Sequence, residues 1–239
     1  MTDTTQRIVI TGITGGIAAA TARKLVESGH DVIVSARDHD KLDAAITEIG
    51  EGVTGHVMDV TDAESVAAFF EAVGPFDHLV TPAASAMFAP LREMDFEAAR
   101  KLIETKQWGQ MLCVYEGAKR ISDKGSITLF SGTVTQKPLA GATAFAAAGA
   151  ATEAAARIWA FELAPVRVNT IVPGIIKTPI WGNLMPEDAA TATLDATAEA
   201  LPVGRVGRPE DIALGVEFLI GNGFVNGHAL VIDGGHRLV

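Results

Sequence analysis

Short runs of β-branched residues alternate with helically spaced apolar residues from one end of the chain to the other. Residues 7–11 (RIVIT) set Ile8, Val9 and Ile10 side by side, without helical spacing, and predict a short buried strand. The apolar, alanine-rich stretch 17–28 predicts a helix. Further strands are expected at 31–35 (DVIVS), 55–60 (GHVMDV), 77–80 (DHLV), 126–131 (SITLFS), 167–172 (RVNTIV) and 229–232 (ALVI). Helices are expected at 41–49, 63–73, 96–120, 142–163 and 209–220, with Thr61-Asp62 capping the second of these and Pro165 ending the fourth. Strict alternation of strand and helix predicts an α/β fold: a doubly wound, seven-stranded parallel sheet covered on both faces, as a single domain over 1–239. Residues 179–207 carry Pro179, Pro186 and Pro202 and read as irregular with a helical middle, the place of a substrate lid.

Composition narrows the partners. A length of 239 residues suits one α/β domain, and a 48% hydrophobic content makes it a globular one. A net charge of -10 argues against a nucleic-acid surface, which needs clustered Lys and Arg. Cys113 is the only cysteine, so an intrachain disulfide is excluded. The polar opening MTDTTQ has no signal-peptide pattern, and the apolar helix is broken by Glu153, Arg157 and Glu162, so neither secretion nor a membrane span is expected. The expectation is a cytoplasmic protein acting on a small molecule, with no metal site.

The chemistry starts at the first turn. Gly12, Thr14, Gly15, Gly16 and Ile17 join the first strand to the first helix, which is the geometry that lays a pyrophosphate on a helix N-terminus. The second strand runs directly into Ala36 and Arg37. An acid here would bind the 2′-hydroxyl of NAD; Arg37 instead offers a charged contact to the 2′-phosphate of NADP, or is a solvated arginine opening a loop, with Asp38 beside it. Asp59 can accept from an adenine amino group and Val60 can cover the ring. The small residues Pro82, Ala83 and Ala84 follow the fourth strand, where a ribose passes close to backbone or where packing selects small side chains. The reading favours NADP(H) over NAD(H).

These features, taken with Pro173-Gly174-Ile175 and Thr178, VGRVGRPEDIA and the closing Asp233-Gly234-Gly235, resemble the classical short-chain dehydrogenase/reductase family over nearly the whole chain. TGITGGIA is similar to that family's TGxxxGIG. The resemblance implies a Rossmann fold, a nicotinamide cofactor and a homodimer or homotetramer, with helices 96–120 and 142–163 as the expected contact. It also implies four chemical residues: a tyrosine acid, a lysine four residues later, a serine and an asparagine. Here the tyrosine position is Phe145, the lysine position Gly149, the serine position Gly132 and the asparagine position Lys106. A phenyl ring has no proton to give, and losing general acid–base help costs ~10²–10⁴ in rate. Tyr115, the only tyrosine, lies nine residues beyond Lys106, about 13 Å along a helix, and is a poor replacement.

Two residues stand in as candidates. Lys106 could bring an ammonium toward the space beside Gly149, where burial would depress its pKa and make it a proton donor; alternatively it snorkels to solvent. Ser131 neighbours the serine position, but its side chain is expected on the opposite side. His78 and His236 read as structural. Three functions therefore remain open: an NADP(H)-dependent oxidoreductase of a small apolar carbonyl or alcohol with a non-standard proton donor; a cofactor-binding protein without turnover, serving as sensor or oligomer partner; and a non-redox isomerase or dehydratase on the same scaffold. Ile180, Trp181, Leu184 and Met185 in the lid point to an apolar ligand.

Overall fold

The computed structural model describes residues 5–83 and 85–239. Seven strands form one parallel sheet in the order β3-β2-β1-β4-β5-β6-β7: β1 (Arg7–Ile10), β2 (Asp31–Ala36), β3 (Val53–Val57), β4 (Phe76–Val80), β5 (Ile121–Phe130), β6 (Arg167–Pro173) and β7 (Ala229–Ile232). The order reverses between β1 and β4, which opens a crevice at the C-terminal ends of those strands. Side chains alternate across each strand, so both faces bury apolar residues. Ile8, Ile10, Val32 and Val34 pack on one face beneath α1 (Gly16–Glu27) and the last helix, α9 (Pro209–Gly221). Val9, Ile33, Leu79, Ile127 and Val168 pack on the other with α3 (Ala63–Val73), α5 (Gly109–Gly117) and α6 (Thr143–Glu162). The helix α2 (His39–Ile49) covers β3.

Four elements differ from the sequence expectation, each for a local reason. Strand β3 begins at Val53 and ends at Val57, so Asp59-Val60 lie beyond it rather than within it. Strand β5 begins at Ile121, not 126. Its first residue, Ile121, pairs with Phe76, and the register then shifts ahead of Ser126, next to Gly125, where a Cβ would collide with the Asp77 carbonyl oxygen. The helix expected over 96–120 is α4 (Phe96–Ile103), a wide π turn over Glu104–Trp108, and α5, ending at Gly117. Asp95 caps α4 through bonds from Glu97 N (2.9 Å) and Ala98 N (3.3 Å). The lid segment has its expected helical middle in α8 (Glu187–Ala200) but is more ordered before it, where α7 (Ile180–Leu184) forms. Among the described residues, no helix is long and apolar enough to cross a membrane.

Candidate active site

The glycine turn after β1 is shaped by its neighbours on both sides. Thr11 N donates to Val80 O at 3.0 Å and Ile13 N to Ser35 O at 2.9 Å, so the turn is hung from β4 and β2 together. Gly12 sits at φ +72°, and a Cβ there would lie 2.8 Å from Ala83 Cβ; conformation and space both demand glycine. Gly15 precedes α1 with no side chain capping the helix, and the first turn carries no acid. Thr14 and Gly15 are exposed and Ile17 is half-buried. Gly16 packs against Thr178 and Pro179, where a Cβ would meet atoms at 3.1–3.3 Å. A bare helix N-terminus on a close-packed glycine turn leaves backbone N–H groups open to an anion.

The other expected cofactor residues ring the same strand ends, in different states. Arg37 is exposed just past β2 and makes no hydrogen bond or ion pair among the described residues. The neighbouring Asp38 does not compete for it: its carboxyl accepts from Lys41 N at 2.9 Å and caps α2. Asp59 accepts from Thr61 N (2.9 Å) and Thr61 Oγ1 (2.8 Å) in a tight turn. Val60 is buried, and the close approach of α5 sets it against Gly109, where a Cβ would come within 2.8 Å of it. Pro82 and Ala83 follow β4, and Ala84 lies outside the described residues. Pro173 ends β6, and Gly174 N donates to Ile232 O at 2.9 Å, so close to Asp233 that a Cβ would touch its Cα at 2.7 Å. The Ile175 carbonyl accepts from Gly207 N at 2.9 Å and the Thr178 carbonyl from Trp181 N at 3.3 Å, which fastens both ends of the lid to this loop.

Lys106 does not snorkel. It stands in the π turn, 2% exposed, and its Nζ donates to the Ser131 carbonyl at 3.0 Å. The ammonium also lies 4.3 Å from the centroid of the Phe145 ring, a cation–π contact. The turn is clamped by Gln110, whose Nε2 donates to Lys106 O (2.5 Å) and Phe130 O (2.9 Å), while its Oε1 accepts from Phe130 N and Thr81 Oγ1, both at 2.8 Å. Burial lowers the Lys106 pKa from 10.5 to about 8, with the charge of Glu153 pulling the other way.

The space beside Gly149 is occupied, though not by the lysine. A Cβ at Gly149 would lie 2.7 Å from Ser131 Oγ and 2.9 Å from the Thr135 methyl. Ser131 Oγ donates to Glu153 Oε1 at 2.5 Å, and Thr135 Oγ1 donates to the same oxygen at 2.7 Å. Gly132 faces the Phe145 ring edge, where a Cβ would lie at 3.1 Å, and Phe145 in turn stacks on Phe88 at 6.0 Å between centroids. The sequence does not single out Thr135 or Phe88, and marks Glu153 only as a charge that breaks the apolar helix. For Glu153 a trace existed: Phe145, Gly149 and Glu153 recur at four-residue spacing and so share one face of α6.

The loop after β5 is held from the far end of the chain. Thr133 Oγ1 pairs with His236 Nδ1 at 3.1 Å, Arg237 donates to Gln136 at 2.6 Å, and Lys137 Nζ donates to His236 O at 3.0 Å. A cavity of about 340 Å³ lies between this loop and the start of α6, lined in part by Thr135, Leu139, Thr143 and Ala146. His78 takes no part: it is buried between β1 and β5, bonded to Ser126 Oγ at 2.8 Å. Tyr115 is 63% exposed and stands away from the site, beneath Lys119. Among the described residues, no group of three or more His, Cys, Asp or Glu is placed to hold a metal.

The chain matches known proteins over this whole architecture. The family model described as enoyl-(acyl carrier protein) reductase covers residues 12–237. The cis-4-hydroxycyclohexanecarboxylate dehydrogenase of Sinomonas cyclohexanicum is 34% identical over 245 residues, covering 97% of this chain and 96% of that protein. The 2,5-dichloro-2,5-cyclohexadiene-1,4-diol dehydrogenase of Sphingobium indicum is 31% identical over 240 residues, covering 95% and 94%. A solved small-chain dehydrogenase in complex with NADPH superposes with a TM-score of 0.84 at 34% identity, over 99% of this chain and 100% of its own. With its glycine turn, its seven-stranded parallel sheet and these matches from end to end, the chain belongs to the short-chain dehydrogenase/reductase family.

Proposed function

We propose that this protein is an NADP(H)-dependent oxidoreductase of a small apolar carbonyl or alcohol, with Lys106 as its proton donor. The residues present fit the cofactor. The turn leaves no room for a side chain at Gly12, the N-terminus of α1 is uncapped, and Arg37 has no partner among the described residues. Gly12, Gly15, Gly16 and Ile17 would hold the pyrophosphate, Arg37 the 2′-phosphate, and the Ala83 and Gly174–Thr178 loops the rest. When bound, the cofactor supplies or accepts hydride at the substrate carbon. The NADPH-bound solved relative supports this choice of cofactor. Both curated relatives are named for ring alcohols, so six-membered alicyclic alcohols and ketones head the substrate list, and the lid helices α7 and α8 would close over them.

The observation that carries the proton role is the buried ammonium of Lys106 between Ser131 and Phe145. A pKa near 8 leaves Nζ protonated at neutral pH and able to release the proton to a carbonyl oxygen. The covering ring is half-buried, and its stacking partner Phe88 is on a loop and 40% exposed, so an apolar substrate can displace the ring outward. The same covering supports a second reading. An ammonium shielded by a phenyl ring and bonded to a main-chain carbonyl is stable as it stands, and the protein would then bind NADP(H) without turnover.

A screen of cyclic ketones and alcohols with both nicotinamide cofactors, repeated on Lys106→Met, separates the two. The first reading expects turnover that falls by ~10²-fold or more in the variant while NADPH affinity is retained. Turnover unchanged in Lys106→Met removes the donor role, and NADPH binding with no turnover on any substrate favours the second reading.

A further inference from the structure

The residues at two positions that depart from the family pattern, Lys106 and Gly149, fit together in space with Ser131 and Glu153. On α6, position 149 carries no side chain, and that is a requirement of its surroundings: Ser131 Oγ and the Thr135 methyl occupy the place a Cβ would take. Both residues are there because their hydroxyls donate to one oxygen of Glu153, one helical turn further along α6. Ser131 has two polar ends and uses both. Its hydroxyl is fixed on the Glu153 carboxylate, and its carbonyl receives the Lys106 ammonium. Ser131 therefore bridges a buried cation from the π turn to a half-buried anion on the facing helix. The positive charge that the family pattern places on α6 is supplied here from the opposite side, and α6 supplies the negative counterpart.

We propose that Lys106, Ser131 and Glu153 form one charge-compensated constellation, in which Glu153 is a positioning residue that fixes Ser131 and holds the Lys106 ammonium charged. Gly149 is the position this arrangement keeps free of a side chain. The proposal deepens the role given to Lys106 above and rests on that reading only for its consequence in turnover. Of the charged groups on elements packed against Lys106, Glu153 is the one that acts on it. Glu104, on the π turn itself, is paired with Arg100 at 2.8 Å on the outer surface, and Lys101 and Arg157 are exposed.

The constellation is tested by titration, which needs no substrate. In protein carrying 13Cε-labelled lysine, the Lys106 signal is assigned by its loss in Lys106→Met and followed with pH. Glu153→Gln keeps an oxygen for Ser131 and removes the charge, and the Lys106 midpoint is expected to fall by on the order of one pH unit. Glu153→Asp, which keeps the charge, is expected to leave it near the wild-type value. Glu153→Leu, which keeps the side-chain bulk and removes both charge and acceptor, is expected to lower the Lys106 midpoint by at least as much. That second variant supplies the measurement if Glu153→Gln does not fold. A Lys106 midpoint unmoved in Glu153→Gln or Glu153→Leu, or an equal fall in Glu153→Asp, overturns the proposal. A protein that shows the shifts but turns over no substrate refutes the donor reading and upholds the constellation.

Discussion

Replacing Gly149 by alanine separates a lost residue from a required one. Residue 149 lies inside the twenty-residue helix α6, away from its ends. On helix propensity alone, Gly→Ala there stabilises by about 1 kcal/mol. The structure predicts the opposite sign. The new methyl would stand 2.7 Å from Ser131 Oγ and 2.9 Å from the Thr135 methyl. Each neighbour can yield only by turning about its χ1, and either turn breaks a hydrogen bond to the Glu153 carboxylate. Such a charge-assisted bond contributes roughly 1.5–3 kcal/mol. The net expectation is a destabilisation of roughly 0.5–2 kcal/mol, read by urea unfolding at fixed protein concentration with tryptophan fluorescence. In a Ser131→Ala/Thr135→Ala background both obstacles and both bonds are gone, and Gly149→Ala should then stabilise by up to about 1 kcal/mol. The sign reversal is the signature. Gly149→Ala stabilising the wild-type chain as much as it stabilises the double variant would refute the packing argument and leave position 149 a simple absence.

Arg37→Ala should weaken NADP(H) by about 1.5–3 kcal/mol and leave NAD(H) nearly unchanged, as measured by calorimetric titration of both; equal losses would show that Arg37 does not read the 2′-phosphate. Burial lowers the His78 pKa from 6.5 to about 4, so between those values the unfolded chain takes a proton that the native chain refuses, and stability is lost as pH falls through that window. The loss approaches about 3 kcal/mol near pH 4, and His78→Gln should remove it from the pH dependence of urea unfolding; superimposable profiles would disprove the assignment. Trp108, Phe161 and Ile158 leave apolar surface on the π turn and α6, so a dimer or tetramer through this side is expected, and light scattering that returns a monomer mass at micromolar concentration would refute it.

What the sequence made legible follows from how local each constraint is. The glycine turn could be read because its requirement is written into one stretch of backbone: Gly12 must adopt positive φ, and only glycine does so freely. The strands could be read because two-sided burial leaves unbroken β-branched runs. The start of β5 could not, since Ile121 stands alone before the polar run 122–125 and joins the sheet only through its pairing with Phe76 and a register shift. The π turn left no mark either, because widening one turn does not interrupt an apolar pattern. The lid's helical middle could be read, but the bounds of α7 and α8 could not, since α7 buries none of its residues and α8 only Ala190 and Leu194, too few for a stripe.

At the site itself, each position expected to depart from the family pattern is visible in the sequence, but how those positions relate in space is not. Lys106, Ser131 and Glu153 come from three separate elements and meet only after folding. Read one at a time, Gly132, Phe145 and Gly149 are three absences. In the folded chain, Phe145 covers the Lys106 ammonium and Gly149 admits the Ser131 hydroxyl. Putting serine, tyrosine and lysine back at those three positions would therefore not rebuild the family's site. A lysine at 149 would have to displace Ser131 from Glu153, and its ammonium would enter a region that already holds the positive charge of Lys106. Two buried like charges destabilise each other, so the restored lysine needs Lys106 and Ser131 exchanged in the same step. On the proposed reading, the unit to exchange is the set Lys106, Ser131 and Glu153 together, rather than any one position compared with the family pattern.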